Sequence, residues 1–319
     1  MNKKVVCFGG GNAVPKLIME ELKKYSVDIT GITSMVDNGG STGQLRRDFN
    51  VLPSGDIRRH ILALSDAPEW KKQLWQFRFG QEVFDGGHKG HVFANAFISG
   101  VESVTKDYEK VLNIVHEFME VNSRYKVLPA TIDNVQLIAE AENGERIEGE
   151  DEIDVPQKHN ANLKIKKVFI EPQGNVFAPA AEAVINADLI IFGPGDTYSS
   201  LIPCFLPTGM KEALIKTKAK KVFVCNIMTK SGETQGFSVS DFVQEIEKYI
   251  GTKIDFAIYN NKEINSERVI AFKKENPELI ELVKNGSDDK RFLGVDIVND
   301  IGPIVYNPKK INKIIMSLI

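Results

Sequence analysis

The chain has 319 residues, 42% of them hydrophobic and 26% charged, and its 40 Lys and Arg against 43 Asp and Glu leave a net charge of −3. That balance predicts a well-cored globular protein and excludes extensive disorder; no block of like charge is long enough to follow a nucleic-acid backbone or an anionic membrane, so neither is expected as a partner. Cys7, Cys204 and Cys225 are widely separated in or beside apolar runs, which suits buried thiols in a reducing cytosol and offers no zinc spacing. The opening MNKKVVCFGGG carries an apolar run of about four residues, too short for a signal-peptide core or a membrane span. A soluble cytoplasmic protein is expected, and a homo-oligomer is left open.

In chain order, Lys4–Phe8 reads as a short buried strand, Gly9–Gly11 as a turn, and Val14–Leu22 as a helix with apolar residues at helical spacing. A second strand over Val27–Val36 leads directly into VDNGGSTGQLRR, residues 36–47. Residues from about 55 to 123 read as a helical block. From about 124 to 172 the pattern alternates and contains Asn143-Gly144, a strong hairpin signal, so a β insertion is predicted there, with its acidic stretch Glu148–Asp154 as a solvated edge. The remainder alternates again: helix Ala178–Asn186, strand Ala187–Phe192, loop Gly193–Ser200, helix Met210–Lys216, strand Lys221–Asn226, helix Phe237–Ile250 and strand Asp255–Tyr259. Strands alternating with helices predict one α/β domain over residues 1–319, built on a doubly wound, mostly parallel sheet that binds its ligand beyond the strands' carboxyl ends.

Three segments carry candidate chemistry. Gly9-Gly10-Gly11-Asn12-Ala13-Val14 resembles a dinucleotide turn, but its sixth fingerprint position is Val14 and no Gly-Lys-Ser/Thr follows; a plain strand-to-helix turn explains it equally. The loop Asp37–Gly43 combines backbone freedom, the hydroxyls of Ser41 and Thr42 and the carboxylate of Asp37, which can take a ribose hydroxyl or a divalent metal. Of Arg46 and Arg47, one is expected to be a ligand. In SGDIRR, residues 54–59, Asp56 sits where helix capping alone explains it, with Arg58 close behind. Gly193–Ser200 follows a buried strand and offers the Gly195 backbone and further hydroxyls to an anion. In HKGHVFAN, His91 and Asn95 share a helix face; hydrogen-bonding roles are expected for His88 and His91 because no third His or Cys is near to complete a metal site. No nucleophile–base arrangement can be picked out, and no catalytic residue is assigned.

These segments, in the order GGGN at 9–12, VDNGGSTGQLRR at 36–47, LPSGDIRRHILALSD at 52–66, LWQFRF at 74–79, GHVFAN at 90–95, GPGDTYSSLIP at 193–203 and CNIMTKSGETQGFSVSD at 225–241, resemble the YvcK/CofD-like family. Its nearer branch holds the gluconeogenesis factors and its more distant branch 2-phospho-L-lactate transferase. The resemblance implies a Rossmann-like core and a nucleoside-diphosphate ligand: a UDP-sugar in the first branch, a guanosine-containing phospholactate donor with Mg²⁺ in the second. By the same resemblance Gly10, Gly11 and Asn12, with Thr197, Tyr198, Ser199 and Ser200, would line the phosphates. Asn226, Thr229 and Glu233 would lie near the nucleoside, and Asp37, Asn38, His91 and Asn95 would face the second moiety. The sequence departs from the family pattern in three places: GGGNA stands for GGGTG, Asp37-Asn38 for Asp-Asp, and Ala94 for a glycine. The second change removes one metal ligand and weakens the transferase reading. A nucleotide-sugar-binding regulator of carbon metabolism, wall-precursor supply or cell shape is therefore expected, with a transferase of phosphate-linked groups as the alternative.

Overall fold

The protein is described by a computed structural model covering residues 2–80, 90–285 and 287–319. The strands are, in chain order, β1 (Lys3–Phe8), β2 (Val27–Thr33), β3 (Tyr125–Pro129), β4 (Gln136–Ala141), β5 (Arg146–Glu148), β6 (Ile165–Glu171), β7 (Leu189–Phe192), β8 (Lys220–Val224), β9 (Met228–Lys230), β10 (Phe256–Asn260), β11 (Leu279–Leu282) and β12 (Phe292–Val295). Seven form the central sheet in the order β12-β10-β8-β7-β1-β2-β3, with every neighbouring pair parallel. Continuous apolar runs such as LIIF in β7, buried at all four positions, are what a sheet covered on both faces requires.

The chain lays β2 and β3 to one side of β1 and then crosses back to place β7 on the other. The winding direction therefore reverses between β1 and β7, and the loops that leave those two strands flank the crevice where such sheets bind ligands. Each loop runs into a widened helical turn: the Glu20 amide reaches back to Pro15 O, and the Leu201 amide to Asp196 O at 2.9 Å.

Four sequence expectations need correcting. Tyr125–Pro129 is the edge strand of the central sheet, in register from Ile29 opposite Tyr125, rather than the start of the insertion. The insertion proper is the antiparallel sheet β5-β4-β6, with Asn143-Gly144 at the β4–β5 turn as predicted. Among the described residues the helical block is four helices, Gly55–Leu64, Glu69–Gln76, Phe93–Thr105 and Tyr108–Phe118, with Arg78 and Val92 pairing in a β-bridge. The second half of the VDNGGSTGQLRR segment is already helix, Gly40–Phe49, which puts Ser41 and Thr42 on its first turn. Finally, the acidic stretch is not a solvated edge: Glu150–Asp154 forms a short helix that turns Glu150 and Asp154 into a cavity.

The insertion is seated by its own apolar cluster. Leu137, Ile147, Ile153 and Val168 pack around Tyr198 and Ile202, which belong to the turn after β7. Burying Tyr198 there fixes the insertion over one end of the crevice, and burial of a side chain of this size contributes roughly 2 kcal/mol.

Candidate functional site

A cavity of about 520 Å³ opens beyond the carboxyl ends of β1, β2 and β7. Gly11, Asp37, Ser41, Thr42, Ser199 and Ser200 bring to it the loops singled out in the sequence. The helical block adds Asp56, Arg58, Arg59, Arg78 and Asn95, and the insertion adds Glu150 and Asp154.

The lining carries both signs of charge. Arg58, Arg59 and Arg78 stand together on the helical-block side. Burial, together with the neighbouring guanidiniums of Arg59 and Arg78, pushes the Arg58 pKa down to about 10, and among the described residues its buried Nε has no hydrogen-bond partner. Arg78 is held by donating to Gly90 O at 2.7 Å. Burial and the surrounding carboxylates of Asp37, Asp154, Asp56 and Asp151 push Glu150 up to about 9, which favours a protonated acid on the cavity wall at neutral pH. Asp37 is likewise raised by burial and then by the like charge of Asp56, while its Oδ1 accepts the Gly39 amide at 3.0 Å.

A polar corner completes the inner wall. Ser41 Oγ lies 3.1 Å from His91 Nδ1, and Asn95 Nδ2 donates to Ser41 Oγ and Thr42 Oγ1, both at 3.3 Å. Asn95 is buried, and its Oδ1 has no hydrogen-bond partner among the described residues.

Behind the β7 loop lies a charged hub. Glu233 accepts from the amides of Tyr198 at 2.7 Å and Ser199 at 3.4 Å and from Ser199 Oγ at 3.0 Å. The Lys230 ammonium pairs with Asp154, with Asp196 at 3.2 Å and with Glu233 at 3.3 Å. Burial raises Glu233 to about 7 against the pull of Lys230, while the three carboxylates overcome the effect of burial on Lys230 and raise its pKa. Carboxylate oxygens of Asp154, Asp196 and Glu233 lie within 4.8 Å of one another, but the ammonium already supplies the positive charge they share.

The candidates therefore divide. Gly11, Asp37, Ser41, Thr42, Asn95, Ser199 and Ser200 meet at the cavity, with His91 one hydrogen bond behind Ser41. Asn226, Thr229 and Glu233 do not line it: Asn226 exchanges hydrogen bonds with the Gly195 backbone, Thr229 is fully buried, and Glu233 is committed to the β7 turn. Gly195, Thr197 and Tyr198 also stay outside the lining, Tyr198 because it anchors the insertion. Asn38 Oδ1 accepts the Asp151 amide at 3.0 Å, tying the acidic helix to the β2 loop. Arg46 holds the backbone oxygens of Val36, Asp37 and Val135 and the side chain of Asn134, and so serves as a brace. Gly10 lies under Asp56, Asn12 is exposed, and His88 lies outside the described residues. Sequence reasoning passed over Arg59, Arg78, Glu150, Asp154 and Asp196 and gave Asp56 to capping. The Asp56–Arg59 spacing of three residues was the available signal, and their 2.6 Å ion pair follows from it.

The sequence profile described as "2-phospho-L-lactate transferase CofD" matches residues 5–300. The chain belongs to this family. Among its relatives, the gluconeogenesis factor of Listeria innocua is 35% identical, with 92% of this chain covering 87% of that one, and the gluconeogenesis factor of Halalkalibacterium halodurans is 34% identical, with 93% covering 89%. A Clostridium acetobutylicum protein with a gluconeogenesis-factor name is 38% identical over 92% of this chain, which spans 63% of its length. A crystal structure of a UPF0052-family member from Bacillus halodurans matches with a TM-score of 0.88 at 31% identity, covering 99% of each chain. Among the described residues, no helix of this CofD-family chain is long and apolar enough to cross a membrane.

Proposed function

We propose that the cavity binds a nucleoside-diphosphate sugar, of which a UDP-sugar is the leading case, and that the protein is a cytoplasmic regulator of carbon metabolism, wall-precursor supply or cell shape. The observation that carries this reading is the gathering of Arg58, Arg59 and Arg78 with carboxylates and the hydroxyls of Ser41, Thr42 and Ser200 in one cavity at the sheet's switch point. Guanidiniums recognise phosphate oxygens; carboxylates and hydroxyls accept from sugar hydroxyls. A ligand with a charged diphosphate joined to a hydroxyl-rich group suits both sets of groups. The names of the gluconeogenesis-factor relatives support the metabolic side of the reading. Calorimetric titration with UDP-sugars, GDP and NAD tests it: saturable, unconsumed binding of a UDP-sugar is expected, and tight NAD binding without UDP-sugar binding would overturn it.

A second reading, transfer of a phosphate-linked group from a nucleoside-diphosphate donor with Mg²⁺, draws on the family description and on one local feature. Asp37 and Asp56 both line the cavity, and Gly55 lies so close that a Cβ there would fall 2.4 Å from Asp37 Oδ2 and 2.9 Å from Thr42 Oγ1. Two carboxylates close enough to repel one another, with a glycine packed against one of them, fit a hard cation that completes its shell with water and phosphate. Asp37 and Asp56 would hold the ion, whose contribution would be to neutralise phosphate charge. The protein's own arginines would orient the donor. Release of nucleoside monophosphate from the donor in the presence of Mg²⁺ would favour this reading over binding alone.

A further inference from the structure

We propose that Asp56 is a resident anion in the β1 glycine turn, closing that turn to phosphate and directing an incoming diphosphate to the arginine wall and the β7 loop. In a Rossmann fold the turn after the first strand takes the pyrophosphate, with glycines letting the backbone approach it. Here the corresponding amide is already bonded: Gly11 N donates to Asp56 Oδ1 at 2.8 Å. The same oxygen accepts Arg59 Nη1 at 2.6 Å, so the carboxylate brings its own counter-charge. Asp56 is buried, and the His60 ring lies 3.0 Å from its backbone oxygen one turn along the same helix.

The glycine itself points the same way. A Cβ at Gly10 would lie 2.3 Å from Asp56 Oδ2 and 3.0 Å from its Cγ, so the close approach that Gly10 permits is to an internal carboxylate. A phosphate at the Gly11 amide would have to displace Asp56 from both the amide and Arg59, and would otherwise meet it as a like charge. The signature that suggests a dinucleotide site is thus filled by a residue 45 positions downstream. Asp56 becomes a specificity determinant: it excludes ligands that need the β1 turn, NAD among them, and leaves Arg58, Arg78 and Ser200 for the anion.

The test uses inorganic pyrophosphate in metal-free buffer, with the Gly11 amide followed by NMR in the parent, Asp56→Ala and Gly10→Ala. The alanine at 10 keeps every charge but drives the carboxylate off the turn, so it serves even where Asp56→Ala fails to fold. In the parent the Gly11 amide should be silent. In a folded variant it should shift on titration, and pyrophosphate affinity should rise about tenfold or more, equivalent to about 1.4 kcal/mol. A Gly11 response in the parent, or silence in both folded variants, would overturn the inference. A UDP-sugar titration run beside it separates the two claims, because loss of the nucleotide-sugar reading leaves the pyrophosphate result at Gly11 standing.

Discussion

Replacing Lys230 by Met keeps an unbranched side chain, one atom shorter, and removes the ammonium that Asp154, Asp196 and Glu233 share. Side-chain exposure is 8% for Lys230 and 1% for Glu233, but 30% for Asp154 and 42% for Asp196. Removing one partner of a buried ion pair costs about 3–5 kcal/mol; two solvated partners put this case near the lower figure, about 3 kcal/mol. The pH dependence follows from sign. Lys230 is raised in the folded state, so its contribution is complete below the ordinary lysine range and is lost only as pH climbs through the raised value. Without it, Glu233 and Asp196 should rise further, and a folded-state acid that holds its proton more tightly than the unfolded one loses stability as pH rises. The deficit of the Met variant should therefore be greatest near pH 8 and shrink toward pH 5. Urea unfolding at both pH values measures it, and millimolar Mg²⁺ or Ca²⁺ should restore part of the loss because three carboxylate oxygens then face an uncompensated space. A deficit below about 1 kcal/mol that is equal at both pH values would refute this account of the hub.

Asp37→Ala should remove any Mg²⁺ response of ligand binding or turnover; a response equal to the parent's would end the metal assignment. Ser200→Ala should weaken a nucleoside-diphosphate sugar by roughly ten- to a hundredfold, one hydrogen bond to an anion, without changing stability. Ser199→Ala should instead lower the melting temperature, since that hydroxyl is tied to Glu233 and Asp154, and unchanged stability would refute the tie. Glu150→Gln should flatten the fall in stability between about pH 4.5 and about pH 9, the interval over which the unfolded chain has lost this proton and the folded chain retains it. Thermal midpoints across that range are the measurement, and parallel curves for parent and variant would contradict the raised pKa.

Much of the central sheet was legible because its strands are buried on both faces and written as unbroken apolar runs bounded by glycine: KVVCF before Gly9 and LIIF before Gly193 need no long-range information. β3 was not, because YKVLP follows a helical block and precedes a hairpin, and a five-residue run does not say which sheet it joins. Only the register against β2 decides that. The Gly40–Phe49 helix was hidden for a local reason: two glycines and two hydroxyl residues at its start read as loop, while the buried Leu45 that holds it acts through tertiary packing.

The site was half legible, and the missing half has one physical cause. Loop chemistry is written locally, so the hydroxyls of Ser41, Thr42, Ser199 and Ser200 could be found by reading along the chain. The role of a charge depends on what it faces. Glu150 and Asp154 stand in a run of acids that, taken alone, belongs in water; an apolar cluster anchored by Tyr198 turns the run inward, and there burial makes Glu150 a neutral acid and Asp154 a partner of Lys230. Asp56 and Arg59 read as an ordinary pair on one helix face until the glycine turn is laid against them. In both cases the same packing step that buries a carboxylate also supplies its compensation, a proton for Glu150, an ammonium for Asp154 and a guanidinium for Asp56. This is why the charges of this cavity can be assigned roles only after the elements that carry them have been assembled.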